Sequence, residues 1–305
     1  MKVLVTGGMG FIGSHLVDEL VKRSHQVTVI DNGQNSTGHE NPRARYIMAD
    51  LRDSRAASEK IRAADVVFHL AGNFSVVRST EDPRFDFEAN LQTTFNVLEA
   101  MRRNDIRKIV FPSTSGVYGI QKSFPIRETS GFDNLRPINN YAASKLASEV
   151  YIHSFSNIYG ISGVVLRLAN VVGPRSNHGI VPDIIGKIRK TPERIEVLGN
   201  GRQRKSYIHV ADCVNAMIMA SKEEKNFDVI NVGYEEWATV KSIVDLICLE
   251  MNAAPKVSYT GGEGGWPGDV PEFLLDVSKM KSLGWRPQMK LKDAVIDTVR
   301  WHEHQ

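Results

Sequence analysis

The sequence has little cysteine, which excludes the small cross-linked domains that depend on it. Only Cys213 and Cys248 occur in 305 residues, and neither belongs to a CxxC pair or has a histidine at metal-ligand spacing. This usage argues against a disulfide framework or a zinc site and is typical of a reducing compartment. We expect both cysteines to be buried as small apolar side chains. A chain of this length buries about 75% of its unfolded surface, so a core can form without cross-links.

Long apolar runs and a strong charge of one sign are missing as well. The chain opens with "MKVLVTGG", which lacks the apolar run of a signal peptide, and no stretch reaches the roughly 18 apolar residues of a membrane span. The formal net charge is only +3, and the basic residues are dispersed. We therefore expect a cytoplasmic protein without a nucleic-acid or membrane partner. The final "WHEH" is interpreted as a frayed tail, and no metal site is predicted.

The first half of the chain alternates short apolar runs with helical patterns. Residues 11–23 and 90–104 carry apolar stripes at helix spacing, and residues 239–251 form a later helix of this kind. The candidate strands are rich in Val and Ile: "KVLVTG", "QVTVID", "RYIMAD", "DVVFHLAG", "KIVFPST" and "GVVLRLANV". The pattern predicts an α/β fold with a Rossmann-type, doubly wound parallel sheet.

The regular alternation ends near Pro174. Glycine- and proline-rich connections such as "LGNGRQRKS" and "YTGGEGGWPGDVP" follow, with shorter helices between them. We therefore predict a nucleotide-binding domain over residues 1–173, with contributions from about 205–235. Residues 174–305 are predicted to form a smaller C-terminal α/β domain that binds the substrate.

The glycine-rich segment "VTGGMGFIGSHL" stands between the first strand and the first helix. Glycine allows a tight turn and lets a pyrophosphate approach the backbone N–H groups of a helix N-terminus. Asp31 ends the second strand 18 residues after Gly13, where its carboxylate can accept hydrogen bonds from the adenosine ribose. That carboxylate would repel a 2′-phosphate, and residues 32–38 contain no Lys or Arg, so NAD is favoured over NADP. The alternative interpretation is a plain strand-turn-helix loop.

Further cofactor contacts are expected where later strands end at the same edge of the sheet. Each such residue could also be an ordinary strand terminus. The predicted cofactor-binding set is Gly7, Gly10, Phe11, Ile12, Gly13, Asp31, Asn32, Asn35, Ser36, Asp50, Leu51, Leu70, Ala71, Gly72, Asn90, Tyr141 and Lys145.

Tyr141 and Lys145 lie four residues apart in the helical segment "NYAASKLASE", so they share one face. A nearby ammonium lowers the pKa of a phenol. Lowering a tyrosine pKa from about 10 to neutrality requires roughly 4 kcal/mol, more than a lysine in a wet site supplies. A positively charged nicotinamide ring can make up the difference, so Tyr141 is predicted to be a general acid/base. The alternative is a surface pair without a function.

Several motifs occur together in a characteristic order: "TGGMGFIG", Asp31, "HLAG", "STSGVYG", "YAASK" and "RLANVVGPR". In this respect the chain resembles the extended short-chain dehydrogenase/reductase family over practically its whole length. Within the family it is most similar to the NAD-dependent UDP-glucose (UDP-galactose) 4-epimerases. The resemblance implies a UDP-sugar substrate, with Tyr141, Lys145 and Thr114 as the catalytic residues.

The resemblance also implies roles for other polar residues. Asn90 matches a position near the cofactor, with a helix N-cap as the alternative. Asn170 and Arg175 match positions that meet the sugar-nucleotide diphosphate. Lys205 stands where the family has an arginine, and no cation lies between Lys256 and Lys279, where many relatives have another. We therefore add His178 and Lys205 to Arg175 as candidates for holding the diphosphate.

The resemblance narrows the reaction through the residues after Thr114. Related dehydratases and decarboxylases carry acidic residues there, whereas this chain has Ser115 and Gly116. The expected reaction is inversion at C4 of a UDP-hexose through a transient 4-keto sugar. A UDP-N-acetylhexosamine 4-epimerase, a nucleotide-sugar reductase or dehydrogenase, and a non-catalytic NAD-binding regulator remain alternatives.

A homodimer is expected from two predicted helices, residues 90–104 and 141–159. Both carry apolar residues on more than one face. The residues concerned are Leu91, Phe95, Val97, Leu98, Met101, Leu146, Ala147, Val150, Tyr151 and Phe155. The resemblance suggests that the two helices form a four-helix bundle with a second copy.

Overall fold

The computed structural model describes residues 1–128 and 135–305. By internal contacts, the chain divides into two compact units. The first comprises Met1–Val117, Asn139–Arg167 and Val214–Ile230. The second comprises Tyr118–Ile138, Leu168–Cys213 and Asn231–Gln305. The two units are interleaved along the sequence, and the domain limits expected from the sequence stay a prediction.

The first unit is built on a seven-stranded sheet with the strand order β10-β6-β5-β4-β1-β2-β3. The pairs β1–β2, β1–β4, β2–β3 and β4–β5 are parallel. The order changes direction at β1, the switch point at which such sheets bind ligands. The strands are β1 (Lys2–Thr6), β2 (Gln26–Asp31), β3 (Arg45–Met48), β4 (Val66–His69), β5 (Lys108–Thr114), β6 (Ser162–Leu168) and β10 (Phe227–Val232). The predicted Rossmann-type sheet is confirmed.

Helices of the first unit pack on this sheet around a core that includes Leu4, Val67, Leu98 and Phe111. Strands and helices alternate along the sequence, and the apolar stripe of each helix covers part of the apolar face of the sheet. The helices are α1 (Phe11–Lys22), α2 (Ser54–Lys60), α3 (Val76–Glu81), α4 (Pro83–Asp86), a π-helix (Phe87–Gln92), α5 (Thr93–Arg103) and α6 (Asn140–Tyr159). A 3-10 turn (Ser115–Tyr118) follows β5, and α8 (Val210–Ala220) precedes β10.

The second unit has small sheets of its own. In one of them β9 pairs with β7, β11 and β13, and in the other β8 pairs with β12. Its core includes Ile184, Tyr207, Ile243 and Val295. The strands are β7 (Asn170–Val172), β8 (Arg194–Val197), β9 (Arg204–His209), β11 (Trp237–Thr239), β12 (Lys256–Tyr259) and β13 (Glu272–Phe273). The helices are α7 (Ile180–Lys190), α9 (Val240–Glu250), α10 (Ser278–Ser282) and α11 (Leu291–Glu303).

Two element boundaries differ from those expected. The run "GVVLRLANV" forms two strands, because Ala169 bonds to Val232 between them and β7 then pairs with β9 in another sheet. The helix expected over residues 90–104 begins earlier, as the π-helix Phe87–Gln92, and is α-helical only from Thr93.

Two further expectations were wrong. The C-terminal tail is not frayed: α11 continues to Glu303, and His302 Nε2 lies 2.8 Å from the carbonyl oxygen of Ser176. Cys213 is buried, but Cys248 is only half-buried, because it lies on a partly solvated face of α9.

Within residues 1–128 and 135–305, no helix has an apolar stretch of the length that a membrane span requires. The same residues contain no group of three or more His, Cys, Asp or Glu side chains that could hold a metal ion.

Candidate active site

The glycine loop between β1 and α1 leaves no room for side chains on its inner side. Gly7 has φ +71°, and a Cβ there would lie 2.6 Å from the backbone nitrogen of Ala71. A Cβ on Gly13 would lie 2.1 Å from the Gly7 carbonyl oxygen. At Gly10, which precedes α1, a Cβ would meet nothing closer than 3.4 Å. The loop is therefore tightly packed inside and open at the helix N-terminus, as an anion cradle requires.

Asp31 lies at the end of β2, beside this loop. Its Oδ2 accepts a hydrogen bond from Met9 N at 3.0 Å, and its Oδ1 accepts one from Gly33 N at 2.8 Å. Each carboxylate oxygen keeps a second lone pair, so Asp31 can still accept hydrogen bonds from ribose hydroxyls. The carboxylate is thus held in a fixed orientation next to the cradle.

The segment after Asp31 forms a hydrogen-bonded turn that contains three predicted cofactor residues. Asn32 Oδ1 accepts from Gln34 N at 3.1 Å, and Ser36 Oγ accepts from Gly38 N at 3.1 Å. The carbonyl oxygen of Asn35 is 4.0 Å from the position of a Cβ on Gly10. The structure therefore brings this turn beside the glycine loop.

Asp50 follows β3 and is engaged by a residue that the sequence analysis did not single out. Arg52 approaches the Asp50 carboxylate with a shortest distance of 2.6 Å. The hydrogen bond from Arg52 is the main cause that lowers the pKa of Asp50. Leu51 is apolar and buried. Of the two residues predicted here, Asp50 is therefore the one that can offer a polar group near the surface.

The predicted residues after β4 lie directly against the glycine loop. Leu70 N donates to the Thr6 carbonyl oxygen at 3.0 Å, and Ala71 N donates to Thr6 Oγ1 at 3.2 Å. A Cβ on Gly72 would lie 2.5 Å from Asn90 Oδ1. The loop after β4 is thus in contact with both the glycine cradle and Asn90.

Tyr141 lies in the first turn of α6 and meets Thr114 at the end of β5. Asn139 caps the helix: its Oδ1 accepts from Ala142 N at 2.8 Å. The phenol of Tyr141 hydrogen-bonds the Thr114 side chain. Thr114 Oγ1 also accepts from Gly116 N at 3.1 Å, which orients the hydroxyl. Two hydroxyl groups therefore converge at the carboxyl end of a central strand.

The pKa of Tyr141 differs from the expectation. Desolvation by burial, and after it the Asp86 charge, raise the pKa to about 12, although the Thr114 hydrogen bond acts in the opposite direction. Burial also lowers the pKa of Lys145 to about 7, although the Glu149 and Asp86 charges oppose this. A lysine that is partly neutral at pH 7 cannot by itself turn the phenol into a base. Within the chain alone, burial outweighs the ammonium.

Lys145 is buried, with its ammonium 3.8 Å from the centre of the Phe111 ring. One helical turn further on, Glu149 forms an ion pair with Arg167 at 2.7 Å, and both side chains are almost fully buried. Ser113 donates to the same carboxylate. Glu149 was not among the residues predicted from the sequence, although its spacing of four residues from Lys145 was a usable signal.

Asn90 belongs to a buried polar network rather than to a helix cap. It lies within the π-helix, and its Oδ1 accepts from Asn73 N at 2.8 Å. Its Nδ2 donates to Asp86 Oδ1 at 3.1 Å and to Ser144 Oγ at 2.9 Å. The N-cap alternative was wrong, because the chain is already helical before Asn90. A π-helix of this kind is often found at functional sites.

Four predicted substrate residues lie in the second unit. Asn170 pairs with Tyr207 between β7 and β9 and hydrogen-bonds its phenol. Arg175 has φ +67°, a backbone conformation that costs a non-glycine residue about 1–2 kcal/mol. His178 is exposed and its Nδ1 lies 3.1 Å from Asn177 Oδ1.

Lys205 is buried on β9 and has a carboxylate partner. Its Nζ lies 2.5 Å from Asp269 Oδ1 and 5.0 Å from the centre of the Trp266 ring. Asp269 Oδ2 accepts from Gly265 N at 2.9 Å, so this pair organises the loop that lacks the family's second arginine. The ammonium therefore keeps a local counter-charge.

Comparison with known proteins identifies the family. The sequence profile of the NAD dependent epimerase/dehydratase family matches residues 3–233. The chain belongs to this family. A UDP-glucose 4-epimerase from Lacticaseibacillus casei is 34% identical over 335 residues, which cover 100% of this chain and 97% of that protein. The crystal structure of a UDP-galactose 4-epimerase superposes with a TM-score of 0.91 at 37% identity, covering 100% of this chain and 99% of the other.

Other similar family members are named for a different reaction or a different sugar. A UDP-N-acetyl-alpha-D-glucosaminuronate decarboxylase from Bacillus cytotoxicus is 30% identical over 98% of this chain and 97% of its own length. A UDP-N-acetylglucosamine 4-epimerase from Methanobrevibacter ruminantium is 31% identical, with a TM-score of 0.90 and coverage of 100% and 98%. Overall similarity therefore identifies an epimerase-family enzyme. It does not identify the substrate, which depends on the residues of the site.

NAD is the cofactor of this family. The crystal structure of a Thermus thermophilus UDP-glucose 4-epimerase was solved in complex with NAD, and it matches 99% of each chain with a TM-score of 0.90 and 32% identity. The residues of this chain fit such a group. The open side of the cradle at Gly10, the helix N-terminus and the fixed Asp31 carboxylate suit a pyrophosphate and a ribose.

Proposed function

We propose that this enzyme inverts C4 of a UDP-hexose, interconverting UDP-galactose and UDP-glucose through a transient 4-keto sugar. The observation that carries the proposal is the pair of hydroxyl groups, Tyr141 and Thr114, beside the buried Lys145. The similarity to UDP-glucose 4-epimerases over whole chains supports it.

Tyr141 is the group that takes the proton from the sugar 4-hydroxyl and later returns it. Bound NAD, which the glycine loop and Asp31 would hold, would supply the hydride acceptor and donor for C4. Thr114 orients the 4-hydroxyl towards the phenol, and Lys145 supplies a positive charge in a site that excludes water. Since the pKa of Tyr141 is about 12 in the chain alone, proton transfer requires added positive charge in the loaded site.

The absence of an acidic residue directly after Thr114 supports an epimerase over a dehydratase or a decarboxylase. Ser115 and Gly116 follow Thr114, so no carboxylate is available at these positions for elimination. A Cβ on Gly116 would lie 3.2 Å from the Ala142 Cβ and 3.4 Å from Thr114 Oγ1. A larger side chain there would press on the catalytic threonine.

Substrate binding and assembly complete the proposal. We assign Asn170, Arg175, His178 and Lys205 to the UDP moiety, with Arg175 as the main phosphate ligand because a guanidinium suits phosphate geometry. The remaining cofactor residues keep the roles expected from the sequence, and the cytoplasmic location stays a prediction.

We also propose a homodimer formed through α5, α6 and the preceding π-helix. Val97, Leu98, Met101 and Phe155, which were expected to contribute, are part of the subunit core instead. The large apolar side chains that these helices expose are Phe87, Phe95, Val150, Tyr151, Ile158 and Tyr159. Phe95 and Tyr151 stack edge-to-face with ring centres 5.7 Å apart, so they present one apolar surface.

The test is product analysis with purified enzyme, NAD and UDP-galactose. We expect UDP-glucose to form without accumulation of NADH. Tyr141→Phe should lower the rate by about 10²- to 10⁴-fold, the contribution of general acid/base catalysis. Tyr159→Phe, at the exposed end of the same helix, is the matched control and should leave the rate unchanged. Steady production of NADH would indicate a dehydrogenase instead, and absence of any turnover would favour a regulator.

The similarity to the UDP-N-acetylglucosamine 4-epimerase favours one second candidate, an enzyme that accepts N-acetylated sugars. Parallel incubations with UDP-N-acetylglucosamine and UDP-N-acetylgalactosamine decide between the two. Higher kcat/KM with the N-acetylated pair would replace the first proposal.

A further inference from the structure

Asp86 is a buried carboxylate to which neither the sequence motifs nor the proposed reaction assigns a role. It ends α4 and is only 1% exposed. Its Oδ1 accepts from Asn73 Nδ2 at 2.8 Å and from Asn90 Nδ2 at 3.1 Å. Its Oδ2 has no hydrogen-bond donor among the described residues. A buried charge without full hydrogen bonding is costly and calls for a cation nearby.

The hydrogen bonds of Asp86 lead directly to the catalytic helix. Asn90 uses the same amide nitrogen to reach Ser144 Oγ at 2.9 Å. Ser144 Oγ in turn donates to the Tyr141 carbonyl oxygen at 2.8 Å. The carboxylate on α4 is therefore tied, through two side chains, to the first turn of α6.

The charge of Asp86 also acts on the catalytic pair itself. It adds to the effect of burial in raising the pKa of Tyr141, and among the described residues Glu149 and then Asp86 are the charges that raise the pKa of Lys145. Glu149 is already paired with Arg167 at 2.7 Å, whereas no cation is paired with Asp86 at salt-bridge distance among the described residues. Glu149 has the larger effect on Lys145 but already serves Arg167, so Asp86 is the carboxylate without a paired cation of its own among the described residues that acts on the Lys145 ammonium.

We propose that Asp86 is a positioning residue of this site: a buried counter-charge that favours the cationic form of Lys145 and, through Asn90 and Ser144, fixes the turn of α6 that carries Tyr141. The proposal rests on the proposed function, because it assigns Lys145 and Tyr141 to catalysis. The hydrogen bonds and the uncompensated oxygen are geometric facts that are independent of the substrate.

The other charged groups on the surrounding elements do not replace Asp86. His69 on β4 is buried between Thr6 and Thr94, and its pKa is lowered to about 3 by burial and by Lys145, so it stays neutral. The remaining charged side chains on α3, α4, α5, β5 and the π-helix have other partners or face solvent. Arg84 pairs with Glu88, and Glu99 pairs with Arg102 and Arg103. Arg78 stacks on the Phe85 ring, Glu81 is exposed, and Lys108 donates to the Glu223 carbonyl oxygen.

The test uses Asp86→Asn, which removes the charge and keeps an oxygen for the hydrogen bonds from Asn73 and Asn90. Titration of Lys145 is followed by NMR of the labelled lysine side chain in the full chain, without nucleotide or substrate. We expect its midpoint to fall by about 1 pH unit, the lower end of the effect of a close opposite charge. An unchanged midpoint would overturn the proposal. Because no substrate is present, this outcome is independent of whether the proposed epimerase reaction is correct.

A pH–rate profile of the loaded enzyme gives the second readout. With Asp86→Asn, kcat/KM should follow a profile displaced towards lower pH, because the pKa of both Tyr141 and Lys145 falls. The control is Ser79→Ala on the neighbouring α3, a buried hydroxyl without a hydrogen-bond partner among the described residues, which should displace neither curve. A merely structural role of Asp86 would lower the rate equally at every pH. Asp86→Ser, smaller and also uncharged, takes over the test if the first variant does not fold.

Discussion

The packing of the glycine loop predicts opposite consequences for two alanine substitutions only three residues apart. Gly13→Ala places a methyl group 2.1 Å from the Gly7 carbonyl oxygen and 2.8 Å from Gly8 Cα. A close carbon–oxygen contact is about 3.3 Å, so the backbone must move by about 1.2 Å. Gly10→Ala places its methyl group no closer than 3.4 Å, at φ −75°. Only the first substitution therefore conflicts with the fold.

The expected loss of stability in Gly13→Ala follows from the atoms that the added methyl group would contact. Overpacking costs about 1–3 kcal/mol, and rigid backbone at position 13 favours the upper end. A loss of about 3 kcal/mol corresponds to roughly 6–12 °C in the Tm of a domain of this size. Gly10→Ala should instead match or exceed the wild-type Tm, because alanine has less freedom in the unfolded chain.

The assay is thermal unfolding of the nucleotide-free protein, followed by calorimetric titration with NAD. Gly10→Ala should fold normally but bind NAD at least about tenfold more weakly, about 1.4 kcal/mol, because its methyl group lies on the open side of the cradle. A Gly13→Ala variant that keeps both the wild-type Tm and the wild-type affinity for NAD would refute the predicted backbone clash. Unchanged NAD affinity of Gly10→Ala would show that the cofactor does not approach this glycine.

Three further predictions concern other parts of the first unit. Glu149→Gln leaves the buried Arg167 without its counter-charge, so the free energy of unfolding should fall by about 3–5 kcal/mol in urea titrations, and a loss below about 1 kcal/mol would contradict this. The pKa of Lys145 is lowered to about 7, so from about pH 7 up to the ordinary lysine value the unfolded chain binds a proton that the folded chain does not. Stability of the nucleotide-free protein should therefore rise with pH in this window, and Lys145→Met should flatten the rise; equal slopes would be inconsistent with a buried titrating amine. Phe95→Glu should give a monomeric mass by light scattering, while Ile120→Glu, at another exposed apolar residue, should leave a dimer; a dimer in both variants would exclude the proposed interface.

Much of the fold and of the cofactor site could be predicted from local sequence. The strand-glycine-helix pattern places Gly7, Gly10 and Gly13 at a helix N-terminus, and a carboxylate at the end of the next strand must lie at the same edge. Likewise, Tyr141 and Lys145 share a helical face at any four-residue spacing. These inferences succeed because the backbone geometry of neighbouring residues is nearly independent of the rest of the chain.

Other properties of the site depend on residues that are distant in sequence. Asn90, which also donates to Asp86, meets Ser144 across a separation of 54 residues, and Lys205 meets Asp269 across 64 residues. No periodic pattern encodes such contacts.

The direction of the pKa shift at Tyr141 was also beyond local reasoning. Burial by surrounding elements raises it to about 12, although the adjacent lysine alone suggests a decrease. The sequence by itself determined the strands, the cradle and the choice of the proposed catalytic groups. Tertiary structure decided their charge states, because desolvation depends on everything packed around a group, whatever its distance along the chain.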